Sequence, residues 1–279
     1  MAKDKLTTRK IVTRVLILTA LTIAMVWALL PIVWMVLSSL KTEAGMFSMP
    51  PKFIFKPTFS TYAFMFDEGN FGQFLNNSLI AAGSSTVVAL LLGTFGGYAL
   101  ARGNYRGKKH IAFWIISTRM TPIAAAIVPL YLIFANFHLI GSTFGLVVAY
   151  TTFNLPFALW MMMTFFAELP PDMEHAAMVD GATKFQAFYR IALPQVAPGL
   201  VATGILCLMF AWNDFAFASV FTGHDTQTIP VAASLLVSQT GIAWGQAMAT
   251  GTVIILPMVI AGLAVRKYLV RGLSMGAVK

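Results

Sequence analysis

Chemistry in a polypeptide starts with side chains that hold protons, metals or nucleophiles, and this sequence has few of them. Of 279 residues, ten are Asp or Glu, four are His and one is Cys. Cys207 stands alone inside an apolar run, so the chain can form neither an internal disulfide nor a cysteine-based metal cluster. His110, His138 and His224 show no metal-ligand spacing. The nearest approach to a phosphate-binding loop is Gly103 to Lys109, GNYRGKK. It is one residue short of G-x-x-x-x-G-K-[ST], ends in Lys rather than Ser or Thr, and follows no buried strand. The chain is therefore not expected to hydrolyse ATP by that route or to bind a cofactor of its own. With no His or carboxylate cluster assembled in its apolar runs, it also gives little support to a membrane-embedded enzyme.

The remaining polar residues fall into two sets. The first is an island, residues 167–198, between two long apolar runs. It holds four of the ten acidic residues (Glu168, Asp172, Glu174, Asp180) against Lys184 and Arg190. Pro170, Pro171, Pro194 and Pro198 punctuate its ends, which predicts short helices: Pro171 suits a first turn and Pro194 stops what precedes it. Small residues (Ala176, Ala177, Gly181, Ala182) leave room for another backbone, as a docking element for a partner needs. The second set lies inside apolar runs: Arg119, Asn154, Asn213 and Asp214, with Asn77 in the first turn of another. Charges at such depth are costly and usually face a cavity or a partner. Counted along their helices, Arg119 lies roughly 13 Å and Asp214 roughly 22 Å deep, which makes a direct pair between them uncertain. Either could line a solute path or brace its gate; the alternative is an interhelical clamp. The asparagines could meet sugar hydroxyls or, alternatively, bond helix to helix.

The elements that must position these residues are membrane spans. The composition is 58% apolar and 10% charged, too apolar for a soluble domain, with runs long enough to cross a bilayer. Six spans are expected, at about 15–37, 72–100, 111–134, 143–166, 199–221 and 247–265, forming one all-α membrane domain over 1–279. The first run is too long for the core of a signal peptide and no A-x-A site follows it. The third, with Arg119, Pro122 and Pro129, is expected to be kinked. Glycines 93, 96 and 97 in the second let helices pack closely.

The net charge of +9 invites a nucleic-acid reading, but the basic residues sit beside apolar spans, where orientation signals belong. Fifteen of the 19 Lys and Arg fall on 1–14, 101–110, 167–198 and 266–279. Three (Lys41, Lys52, Lys56) fall on 38–71, and Arg119 lies within a span. This asymmetry predicts cytoplasmic termini and a cytoplasmic 167–198 loop, and places 222–246 outside.

Within the island, His175-Ala176-Ala177, three residues, Gly181, nine residues, then Ile191-Ala192-Leu193-Pro194 resembles the EAA motif of bacterial ABC-importer permeases, E-A-A-x3-G-x9-I-x-L-P. Asp180-Gly181-Ala182 and Phe188 look like the carbohydrate-importer branch, the maltose-permease type. Trp34–Glu43, Arg119–Pro122, Ala211–Phe215 and the tail Arg271–Lys279 agree, so the likeness covers nearly the whole chain. One departure stands out: the motif's leading glutamate is His175 here, and Glu174 sits one position earlier, about 100° around a helix.

The resemblance implies a type I importer fold in the bacterial inner membrane. It implies a second homologous permease, two ATPase subunits that bind ATP and Mg, and an extracytoplasmic solute-binding protein reached by 222–246. The island would be a coupling helix seated in an ATPase cleft, with Glu174, His175, Ala176, Ala177, Asp180, Gly181, Ile191, Leu193 and Pro194 as coupling residues. Met173, Met178, Val179 and Phe185 would supply apolar contact. The competing reading is a self-contained ion-coupled secondary transporter, which calls for internal repeats and intramembrane carboxylates. This chain offers Asp214 and no clear repeat.

Overall fold

The computed structural model describes residues 8–238 and 241–276; Lys3, Lys5 and Lys279 of the basic ends lie outside them. The helices run in the order α1 (Thr8–Ser39), α2 (Glu43–Met46), α3 (Ser60–Asp67), α4 (Phe71–Arg102), α5 (Lys108–Thr118), α6 (Ile123–Asn136) and α7 (Thr143–Glu168). Then come α8 (Asp172–Val179), α9 (Lys184–Ala187), a π turn (Phe188–Ala192), α10 (Leu193–Gln195), α11 (Ala197–Trp212), α12 (Ala216–Phe221) and α13 (Ile229–Leu235). A two-stranded antiparallel pair, β1 (Val237–Ser238) and β2 (Gly241–Ile242), precedes α14 (Trp244–Gly276).

Two units are distinguishable. One comprises residues 1–69 with 236–255. Here the end of α1 is fastened by a hydrogen bond between Ser39 Oγ and the Tyr62 hydroxyl (2.7 Å). Lys41, only 3% exposed, holds its ammonium over the rings of Trp34 and Phe55 at 4.8 and 5.0 Å. The start of α14 comes close to α1: a Cβ on Gly251 would lie 2.7 Å from Met35 Sδ.

The other unit comprises 70–235 with 256–279. Its core is α4 packed along α7. Ala81, Ser85, Ala89, Gly93 and Gly97, spaced by four, are all buried on one face of α4. At Gly93 a Cβ would lie 2.8 Å from Ala158 Cβ, and at Gly97 2.7 Å from the Met163 backbone nitrogen. The seam needs glycine because two backbones meet there, the small-residue packing that lets helices associate where apolar burial gives no drive. Helix α11 packs on both, with Cys207 buried against Ala89 and Ala158.

Among the described residues four helices are long and apolar enough to cross a membrane: α1 from Lys10, α4, α7, and α14 as far as Ala264. Among those residues the count reaches six when two bent pairs, Lys108–Thr118 with Ile123–Asn136 and Lys184–Gln195 with Ala197–Trp212, are each taken as one span. The expected third span, 111–134, is in fact α5 and α6 set at 92°. Thr121 precedes Pro122, which disfavours a helical Thr121, and Pro122 starts the next helix. The expected fifth span, 199–221, also differs: α11 stops at Trp212 and α12 resumes at Ala216.

Candidate functional site

The 167–198 island folds as two limbs joined by a tight turn. Helix α8 has Pro171 immediately before its first turn and Asp172 and Glu174 within it, matching the positive end of the helix dipole. It ends in a Schellman motif: Ala182 N–H bonds the Ala177 carbonyl (2.9 Å) and Gly181 N–H bonds the Met178 carbonyl (3.1 Å). Gly181 sits at φ +93°, with open space where a Cβ would be. Its smallness thus serves the turn itself. The second limb begins with a capping box, Gln186 N–H on Thr183 Oγ1 and Thr183 N–H on Gln186 Oε1. It continues into the π turn, in which Leu193 N–H bonds the Phe188 carbonyl. Pro194 explains that wider turn: it has no N–H, and its ring would crowd the Arg190 carbonyl four residues back. From there the chain bends by 72° into α11.

The loop is seated on the ends of α4 and α7. Phe188, Ala192 and Val196 join Met162 and Phe166 in one buried cluster, with Leu193 packed against it. Ile191 is half-buried and Pro194 is exposed. The Ile191-x-Leu193 part of the motif therefore holds the loop to the span helices, where the sequence suggested partner contact. On α8 the faces separate. Glu174 is buried at 5% exposure, Ala177 and Met178 are half-buried, and Met173, His175, Ala176, Val179 and Asp180 are exposed. Glu174 accepts from Arg102 Nε (2.7 Å) and bonds the Tyr98 hydroxyl. The exposed His175 side chain lies 4.0 Å from Asp172. Sequence reading placed Glu174 beside His175 on the partner side; the structure turns it inward, and it missed Tyr98 and Arg102. Their spacing of four, on one face of a helix end, was the available signal.

The intramembrane polar residues are engaged within the protein. Arg119, at the bend after α5, donates from Nη1 to the Phe153 carbonyl (2.9 Å). Its guanidinium lies 4.5, 5.0 and 4.4 Å from the ring centres of Phe153, Phe157 and Phe210. Asp214 Oδ1 accepts from Phe217 and Ala218 N–H at 3.0 and 3.2 Å, capping α12. Among the described residues Arg119 and Asp214 form no ion pair. Asn154, 1% exposed, donates to the Cys207 carbonyl (3.0 Å), while its Oδ1 has no partner. Tyr150, Phe153, Asn154, Phe210, Ala211, Asp214 and Phe217 line a cleft with room for about one water molecule, far too small for a sugar. Asn213 is the exposed member, its amide on the Met209 carbonyl and Met258 Sδ.

At the other end of α4, Asn77 donates to the carbonyls of Asp225 and Gln227 (2.9 and 3.0 Å), and Gln73 donates to Asp225 (2.8 Å). Ser78 Oγ accepts from Ile229 N–H (2.8 Å). The first part of the 222–246 loop is thus fastened from beneath, while the side chains of His224 and Asp225 remain exposed.

Residues 85–275 match the sequence model of the family described as binding-protein-dependent transport system inner membrane component. A probable ABC transporter permease protein of Sinorhizobium fredii is 33% identical over 251 residues, 90% of each chain. The trehalose/maltose transport system permease protein of Thermococcus litoralis is 30% identical over 274 residues, covering 97% of this chain and 98% of its own. Among solved structures, a bacterial ABC transporter involved in the import of the acidic polysaccharide alginate superposes with a TM-score of 0.78 at 21% identity, over 94% of this chain and 98% of the other. The ion-coupled alternative is not favoured, and Asp214, the intramembrane carboxylate it would use, is occupied as a helix cap. This chain belongs to the inner-membrane components of binding-protein-dependent transport systems, the permease subunits of ABC importers.

Proposed function

We propose that this permease serves an ATP-driven importer of a sugar, polyol or related solute, and that loop 167–198 is its contact with an ATPase subunit. The observation that carries the reading is the free face of that loop. Val179 is 87% exposed and by helix spacing shares its face of α8 with His175 and Ala176, while Phe185 and Tyr189, four apart on the returning limb, are 66% and 63% exposed, on a loop otherwise firmly seated. Large exposed apolar side chains grouped on a rigid element suit a protein partner. The partners are a second homologous permease, two ATPase subunits in which ATP and Mg bind, and an extracytoplasmic solute-binding protein that meets the 222–246 loop. Both termini are cytoplasmic. The sugar class is supported by the relative that carries trehalose and maltose in its name. Of the intramembrane polar residues, the exposed Asn213, beside Asp214, is the one set to meet the solute.

The test is affinity purification of the tagged chain in mild detergent. An ATPase subunit and a second permease should co-purify, and be lost when Val179 and Phe185 are both replaced by Glu. A lone chain that transports in ATP-free liposomes under an ion gradient would sink the importer reading.

A further inference from the structure

Glu174 is buried on a helix whose neighbouring positions are exposed, and both of its oxygens are taken by α4. Arg102 Nε donates to Oε1 and the Tyr98 hydroxyl meets Oε2. Arg102 reaches further: its Nη2 donates to the Leu169 carbonyl (3.0 Å), at the junction of α7 and α8. The side chain of Lys108 closes the carbonyls of Ala101 and Gly103 beside it (2.8 and 3.2 Å), so the end of α4 that carries Arg102 is itself fastened. Tyr98 does a second task with its ring. The centroid of Phe188, on the returning limb, lies 4.6 Å away, and that of Phe166 on α7 lies 5.2 Å away in an edge arrangement. One tyrosine therefore holds the outgoing limb by its hydroxyl and the returning limb by its ring. A polar bond and a tilted aromatic contact, made by different parts of one side chain, stop the loop from pivoting on either alone.

We propose that Glu174 is a positioning residue for coupling. Through Arg102 and Tyr98 it locks α8 to the end of α4, so that displacement of the loop is delivered to the α4–α7 pair as one body. This deepens the importer reading and rests on it. It also divides two adjacent residues by task. His175, about 100° around the helix, faces the partner, and Glu174 faces the permease and makes no contact with the ATPase. Because the backbones of α4 and α7 come into close approach at Gly93 and Gly97, little of a push received at Tyr98 and Arg102 would be absorbed between them. Rigid-body transfer of this kind requires the loop to be bistable with its helices, not hinged against them.

The experiment uses the whole transporter, assembled with its partner permease, ATPase subunits and binding protein in liposomes, and reads solute uptake per ATP hydrolysed. Glu174→Gln and Tyr98→Phe should retain the ATPase subunits through purification and hydrolyse ATP, while uptake per ATP falls by at least about five-fold, the low end of a coupling between sites. Arg102→Met should act alike, and its combination with Glu174→Gln should be no worse than the poorer single variant, as expected of one interaction. Arg102→Lys, which keeps a donor and a charge, should recover part of the ratio. A merely structural role would lower the amount of assembled complex and leave the ratio intact, which would overturn the proposal. Loss of the ATPase subunits from Glu174→Gln but not from Tyr98→Phe or Arg102→Met would overturn it too, by making Glu174 a partner contact. Failure of the importer reading has a different signature: the unmodified chain itself would recruit no ATPase.

Discussion

Single residues in this permease are read correctly only with the phase of the element that carries them. Glu174, one position before the motif, and Gly181 within it lie on one short stretch, yet one is spent on a buried ion pair and the other on a positive φ. Replacing Gly181 by Val should cost about 1–2 kcal/mol from the left-handed backbone alone, since no neighbour obstructs a Cβ. Gly181→Asn should be milder, because Asn tolerates that region. Thermal unfolding of the purified complex measures both. Asp214 offers a parallel test. Its carboxylate acts as a cap on α12, so Asp214→Ala should lose about 1 kcal/mol while Asp214→Asn keeps most of it. If Asp214→Asn instead abolished uptake at unchanged thermal midpoint, the charge and not the cap would be the working feature. The sequence identified both residues and neither role. Spacing fixes which residues share a helix face, but the identity of the buried face depends on Tyr98 and Arg102, some seventy residues earlier in the chain.

At the scale of elements, the α4–α7 seam sets the sharpest limit. Gly93→Leu or Gly97→Leu places a side chain where another backbone already lies, and overpacking of this kind costs about 1–3 kcal/mol or more. Gly83→Leu, on the same helix with nothing within 4 Å, should be tolerated. The yield of monodisperse protein on size exclusion separates the two outcomes. At the far end of α4, Asn77→Ala removes two bonds to the 222–228 turn, each of about 1 kcal/mol. Faster amide exchange confined to residues 222–229 is the expected result. Close packing at Gly93 and Gly97 was legible in the sequence, but the four-residue stripe that runs back through Ala89, Ser85 and Ala81 was not, because alanine and serine are common on any apolar helix. The breaks at 119–122 and 213–215 were also hard to read. Hydropathy counts apolar residues along a run and carries no information on the direction in which the run travels. Only Pro122 marks the 92° corner, and only the Asn213-Asp214 pair marks the interruption between α11 and α12.

For the whole molecule, the number of apolar segments and the uneven placement of Lys and Arg were plain in the sequence, because bilayer thickness and charge bias act on composition more than on contacts. The proposed orientation follows from that bias and is open to direct labelling. Cys207 is fully buried, so the chain is already close to a thiol-free background. Arg106→Cys and His224→Cys each place one thiol on an exposed loop position. A membrane-impermeant maleimide applied outside the inner membrane should react with the second at once and with the first only after the membrane is opened. The reverse pattern would invert the proposed topology.

The π turn at Phe188–Ala192 holds one residue more than an α turn, which makes length a structural quantity in this loop. Pro194 stays in place if any one of residues 189–191 is deleted, so the wide turn persists and draws in the residue that precedes it. Everything on the N-terminal side would then rotate by about 100° relative to Leu193, taking Phe188 off Tyr98 and turning Phe185 toward a new direction. The segment can therefore accept many changes of residue type at its exposed positions, while a change of even one in the residue count would set its whole exposed apolar surface out of register with the helices that seat it.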